Sequence, residues 1–416
     1  MSLKNLKIVF LQLFLYVSLC LAYNAVIADQ FSYMGFISEF NSTKFFVGTT
    51  ILLLSLLCSF FISYGFVWAV WHFIFSLFYI PEIIMYQFDN TIYVQLLSLS
   101  TVLFLLILVS KFNVHFSEIS KFRDPDKIMS ILSILMFLPF LILYIKYVNP
   151  KNLLLVDVYQ TRSLFRSIGH TFTGYLNAPL VRVLLPILIV HKLENKQYKS
   201  FFLYLCMVLY VYLCGALKSV FMGLLALLIF YRGTFYKKCK IFLSSISVLA
   251  LLGTIVAKFT NNVFLLDIFI RRVFFVPPSL NDAYNRYFTN NFTYFSQTGL
   301  PFLETKNYDS LSMYVGEQVL GKPGFNANVG VFTEGYISAG VLGILIMSLF
   351  IACIVAFINI CDIDPKYFGI VFVYIYYFNT AFSTTLLITH GLFFFLIVCF
   401  FFLRKGPEYS IDKTYT

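Results

Sequence analysis

Apolar residues run in blocks along nearly the whole chain, each about 15 to 24 residues long and separated by short polar stretches. A helix rises 1.5 Å per residue, so roughly 20 such residues cross hydrocarbon about 30 Å thick. The blocks predict about twelve membrane-crossing helices, near residues 8–28, 45–64, 66–86, 92–110, 128–147, 173–190, 200–214, 218–231, 241–259, 330–358, 368–388 and 391–403. The expected architecture is all-α, one polytopic membrane domain over residues 1–416. The first block would also suit a cleaved signal peptide, with Lys4 and Lys7 before it and Cys20-Leu21-Ala22 as a cleavage site, but no acidic or proline-rich mature start follows and it is read as a span.

Composition excludes an ordinary soluble domain: 60% of residues are hydrophobic and 12% charged, against about 25% charged in a soluble one. Mean hydropathy is +0.84. The stretch from Ser200 to Tyr231 is too long for one crossing and is broken at Gly215-Ala216-Leu217-Lys218. With that break, Lys4, Lys7, Lys111, Lys121, Arg123, Lys127, Lys192, Lys196, Lys199, Arg232, Lys237, Lys238, Lys240, Lys366, Arg404, Lys405 and Lys413 fall on the cytoplasmic side, as the positive-inside rule requires. Both termini are then cytoplasmic.

Arginine departs from this pattern. Arg162, Arg166, Arg271, Arg272 and Arg286 fall in external loops and Arg182 inside a span. A planar guanidinium holds phosphate through two parallel hydrogen bonds and keeps its charge at any relevant pH, so the set points to an anionic substrate at the outer face. Solvated loop charges or lipid-headgroup contacts are the plainer alternative.

Other chemistries find little support. The eight cysteines show no CxxC pairing or regular spacing, so neither a disulfide framework nor a zinc site is indicated. The net charge of +11 is what topology and anionic lipid already demand, and gives no reason to invoke nucleic acid. There is no internal repeat, low-complexity tract or soluble domain.

Two expected external segments, about 148–171 and 260–329, are long enough for function. In the first, Tyr159, Arg162 and Arg166 would share one face of a helix. Arg182, midway along a span, is costly there unless it faces a polar cavity or a partner. Lys218 sits at the turn between two half-length helices, where snorkelling to the interface is the alternative role. In the second, Arg271-Arg272 precede Pro277-Pro278 and an aromatic stretch with Asp282, Tyr284 and Arg286, a mixture suited to a saccharide. The segment closes with Asn328, Gly330, Glu334, Tyr336, Gly340 and Gly343. Glu334, alone in an otherwise uncharged span, is either a general base or half of a buried ion pair.

This order of features resembles the bacterial oligosaccharide repeat-unit (O-antigen) polymerases of the Wzy type: a dozen spans, arginines in two large periplasmic loops, Arg-x5-Pro at Arg271–Pro277 or Arg272–Pro278, and the run Asn-x-Gly-x3-Glu-x-Tyr-x3-Gly-x2-Gly from Asn328 to Gly343. The resemblance covers most of the chain at the level of layout and is more distant to the O-antigen ligases. It implies a GT-C-like fold and a glycosyltransferase of lipopolysaccharide biosynthesis that needs no metal or other cofactor. Donor and acceptor would be glycans on undecaprenyl pyrophosphate, with membrane lipid, a chain-length regulator and a flippase as partners. Arg162, Arg271 and Arg272 would hold the pyrophosphate, supported by Arg166, Arg182 and Lys218. Tyr159, Tyr284, Arg286, Asn328 and Tyr336 would meet the glycan. Glu334 would be the base, with Asp282 second and His390 in reserve.

Two other classes compete. A nucleotide-sugar transferase would use Asp124-Pro-Asp126 or Asp362-Ile-Asp364 to bind a metal, but these lie in short cytoplasmic connections and are read as topological spacers. A transporter or lipid-linked oligosaccharide flippase would show repeat symmetry and polar helices in both halves. Here the candidates gather after Asp157 on one face, which favours an enzyme. A ligase using a different acceptor remains within the same class.

Overall fold

In the computed structural model, which describes residues 3–112, 124–154, 156–298, 303 and 310–404, every regular element is helical. Lys121, Arg123, Lys405 and Lys413 lie outside these residues. In order, the described chain forms α1 (Lys4–Gln30), α2 (Ser42–Phe61), α3 (Phe66–Phe88), α4 (Val94–Val109), α5 (Pro125–Tyr147), α6 (Val158–Ile168), α7 (Thr171–Glu194), α8 (Tyr198–Gly215), α9 (Lys218–Phe230), α10 (Phe235–Thr260), α11 (Val276–Tyr287), α12 (Val331–Ile360), α13 (Phe368–Tyr377) and α14 (Leu392–Leu403). Eight of them, α1, α2, α3, α5, α7, α8, α10 and α12, are long and apolar enough to cross a membrane, and α4, α9 and α14 are shorter apolar helices. The protein is a helical, membrane-embedded polytopic protein.

Local chemistry sets the helix ends. Asn41 accepts the Lys44 N–H at 3.0 Å to cap α2, and Thr234 does the same for Lys237 ahead of α10. Pro125 opens α5, and α11 carries prolines in its first turn, where the missing N–H costs nothing. Along α2, Gly48, Leu52 and Leu56 face inward while Phe46, Leu53, Leu57 and Phe61 are exposed. An exposed apolar stripe on such a helix is a lipid-facing surface.

The chain divides into two compact units. The first draws on Met1–Asn113, Thr234–Ala356 and Ile375–Ser383. Its centre is α3, buried throughout its apolar window, with α1, α2, α4 and α11 packed on it and α1 lying along α10. The second unit draws on Val114–Gly233, Phe357–Tyr374 and Thr384–Thr416. There α7 packs against α8 and α9, and a π-helical turn, Pro179–Leu184, widens α7 around Arg182.

Two helix breaks shape the units. The break expected between residues 215 and 218 is present: α8 ends at Gly215, Ala216 turns left-handed (φ 49°), and Lys218–Phe221 resumes as a 3-10 turn. The second lies inside α12, which the sequence suggested was one span. Ala339 and Gly340 leave helical geometry, with Gly340 at φ 59°, and the chain doubles back. Residues eight apart on a straight helix stand about 12 Å apart, yet a Cβ on Gly335 would lie 2.7 Å from the Gly343 carbonyl oxygen. The carbonyls left over at the end of the first limb accept bonds from Thr293 N–H to Ile337 O (2.8 Å) and Tyr294 N–H to Ser338 O (3.0 Å), satisfying groups that a helix end otherwise strands. The segments expected as external loops are also substantially helical: α6 lies in 148–171, while a π-helix, Leu266–Phe275, and α11 lie in 260–329.

Candidate functional site

In the second unit α6 forms as an amphipathic helix bearing Tyr159, Arg162 and Arg166. Arg162 donates from Nε to the Ala216 carbonyl at 2.9 Å, so the guanidinium is fastened to the turn that precedes Lys218. Phe165 fills the space over Gly215, where a Cβ would meet its ring at 3.2 Å, and its ring centroid lies 5.0 Å from that of Tyr144. Tyr159 is exposed, with Arg162 5.8 Å above its ring. Among the described residues no carboxylate pairs with Arg162, Arg166 or Lys218.

Arg182 reaches the same neighbourhood by backbone packing. Gly223 of α9 lies so close to α7 that a Cβ would be 2.6 Å from the Arg182 carbonyl oxygen. Gly391 packs against Pro179, at 3.1 Å by the same measure, which brings His390 to the π-helical turn. Burial and then the Arg182 charge push the His390 imidazole down to about 3, so it is neutral and a weak proton acceptor. The unit thus gathers Arg162, Lys218, Arg182 and His390 around the α8–α9 break, with Arg166 exposed one turn along α6. A cluster of guanidinium and ammonium groups beside a helix break is suited to phosphate oxygens.

In the first unit Arg271 and Arg272 are not free cations. Asp267, which the sequence reading passed over, binds both: its Oδ1 accepts from Arg271 Nε at 2.7 Å, and its Oδ2 lies 3.0 Å from Arg272. Arg271 is buried, with its guanidinium 4.4 Å over the Phe31 ring and Nη1 3.1 Å from Met34 Sδ. Arg272 is exposed. A cavity of about 430 Å³ opens here, lined by Tyr33, Met34, Phe36 and Leu320, with Arg271, Arg272 and Lys322 supplying charge. Lys322 is a second residue that sequence reasoning missed.

The other candidates of this unit are mostly spoken for. Asp282 accepts Ile92 N–H at 2.8 Å and Arg286 Nε at 2.7 Å, while Arg286 donates to Asn90 O at 2.7 Å. That pair pins the connection between α3 and α4. Tyr284 is fully buried and donates to Ala327 O at 2.8 Å, which makes it a core residue. Tyr336 sits edge-on to Phe292, and Asn328 is exposed. Glu334, on the first limb of α12, is fully buried, and both its oxygens are bound by Ser383, from N–H at 2.6 Å and from Oγ at 3.0 Å.

Among the described residues no group of three or more His, Cys, Asp or Glu side chains is arranged to hold a metal ion. Comparison with protein-family models, with curated proteins and with solved structures gives no match to this chain.

Proposed function

We propose that this protein is a membrane glycosyltransferase that joins saccharide units carried on undecaprenyl pyrophosphate at the outer face of the bacterial inner membrane. The observation that carries the reading is the helix break of the second unit, to which Arg162 is hydrogen-bonded through the Ala216 carbonyl and beside which Lys218 and the π-helical turn bearing Arg182 lie. In the reaction the terminal hydroxyl of an acceptor unit attacks the anomeric carbon of the donor. A carbon–oxygen bond forms there as the bond to the phosphate oxygen breaks, undecaprenyl pyrophosphate departs, and the hydroxyl proton passes to a base. Preorganised guanidinium groups lower the barrier by meeting the charge that grows on the departing phosphate. Glu334, the carboxyl that the sequence suggests as that base, is tested by substitution.

The test is turnover of purified undecaprenyl-pyrophosphate-linked repeat units by the protein in lipid nanodiscs, without added metal and with Arg162→Ala, Arg182→Ala and Glu334→Gln beside it. A ladder of lipid-linked polymer that disappears in the arginine variants while folding is retained supports the reading. A second reading, a lipid-linked oligosaccharide flippase, is favoured by the broken helices, since discontinuous helices frame many transporter sites. No ladder, together with movement of labelled lipid-linked substrate across liposomes, would overturn the enzyme in its favour.

A further inference from the structure

Glu82 is the sole acidic residue of α3, at most 3% exposed, and among the described residues it forms no ion pair. Instead it begins a chain of buried hydrogen bonds. Asn281 Nδ2 donates to Glu82 Oε1 at 2.8 Å, Thr333 Oγ1 lies 2.8 Å from Asn281 Oδ1 and 3.3 Å from Gln95 Oε1, and Asn285 Nδ2 lies 3.4 Å from Gln95 Oε1. The chain runs through α3, α11, the first limb of α12 and α4. At its far end Gln95 Nε2 and Asn285 Oδ1 are buried without a partner. A donor and an acceptor left over side by side mean that these amides can turn without losing a bond, so the network has more than one arrangement available.

We propose that Glu82 is a proton-binding site, and that its charge state sets how firmly the first limb of α12 is seated. A carboxylate sealed from water without a cation is strongly disfavoured, whereas the neutral carboxyl, accepting the Asn281 amide, avoids burying a charge. When the proton leaves to water, the carboxylate demands a second donor. Asn281 then turns toward it and releases Thr333, the residue next to Glu334. Asp282, on α11, is the other carboxylate that acts on Glu82 electrostatically, and its charge is held by Arg286. On the remaining elements packed against α3, Tyr16 is bonded to Gln87, Lys44 to Asn90 and Thr91, Arg271 to Asp267, and Tyr79 to Ser100. Cys20 and Cys58 add no cation, and Glu334 is bound by Ser383. The inference does not depend on the saccharide reading.

The test uses the full chain in lipid nanodiscs. Infrared spectra should contain a protonated-carboxyl carbonyl band that is lost in Glu82→Gln and retained in Glu334→Gln. Amide exchange over 331–338, corrected for its intrinsic pH dependence, should rise by up to about tenfold per pH unit until Glu82 loses its proton in the docked state, and level off above that. It should stay flat in Glu82→Gln. Thr333→Val should keep the band and lose the pH dependence, and this variant guards against a Glu82→Gln protein that fails to fold. A band unchanged by Glu82→Gln, or one removed by sodium at constant pH, would overturn the proposal, the latter because the occupant would be a metal cation. Equal exchange profiles in all three proteins would overturn the coupling.

Discussion

Gly223→Ala adds one methyl group where α9 meets α7, and the geometry fixes the size of the effect. The new Cβ would stand 2.6 Å from the Arg182 carbonyl oxygen and 2.8 Å from its Cα, while ordinary contact begins at 3.4 Å. The helices must therefore part by about 0.8 Å, and because both neighbours are backbone atoms no rotamer change relieves the clash. Overpacking of this kind costs about 1–3 kcal/mol. It also carries Arg182 away from its place beside the α8–α9 break, and a displacement near 1 Å in a positioned charge lowers a rate by roughly a hundredfold. Thermal unfolding in nanodiscs reads the first effect and turnover of lipid-linked repeat units the second. Gly174→Ala on α7 is the control, because a Cβ there has nothing within 4 Å; it should leave stability unchanged or raise it by up to about 1 kcal/mol. A Gly223→Ala protein as stable and as active as the Gly174→Ala protein would refute the reasoning, and loss of stability with full turnover would separate Arg182 from the chemistry.

Asp267→Asn should destabilise the first unit by about 3–5 kcal/mol by leaving the Arg271 charge buried without its partner, and Asp267→Asn with Arg271→Met should recover most of that loss in the same melting experiment. Arg162→Ala should weaken inorganic pyrophosphate binding at least tenfold, equivalent to about 1.4 kcal/mol; equal affinity by calorimetry would remove Arg162 from the site. Asp89, which accepts the Ile37 N–H at 2.7 Å, has its carboxyl raised to about 6 by burial. A carboxyl raised in this way favours the fold while protonated, so stability should fall as pH rises from about 4 to about 6 and level off above. Asp89→Asn should flatten that slope, and an unchanged slope would show that another group causes it.

The helical membrane architecture was legible because hydrocarbon leaves a chain few options: residues 45–64 and 128–147 announce themselves by length and apolarity alone. The break at Gly215 was legible for the same reason, since an unbroken segment overshoots the bilayer. The break in α12 was not. Its residues are almost uniformly apolar, and its reversal rests on Thr293 and Tyr294 capping Ile337 and Ser338, a pairing that no local pattern encodes. Gly335 and Gly343 let one helix fold against itself, a contact between residues eight apart that a straight helix does not make. The arginines were visible as residues but not as charges, because Asp267 lies four residues before Arg271 on a π-helical segment that the sequence presented as loop. That spacing was the available signal. Glu82 was legible too, as a lone acid in an apolar run, a position where a charge is costly.

The bonds that hold Glu334 bear on the timing of assembly. Its partner Ser383 lies 49 residues downstream, and Val331 N–H is likewise satisfied by Phe378 O. At a synthesis rate of about 5–20 residues per second, the first limb of α12 leaves the ribosome roughly 2–10 s before the backbone that receives it. For that interval Glu334 and Gly330 must wait without their docking partners, so the limb reaches its place only after the chain beyond α13 has been made. Ribosome-bound chains truncated before Phe378 should therefore carry this limb undocked.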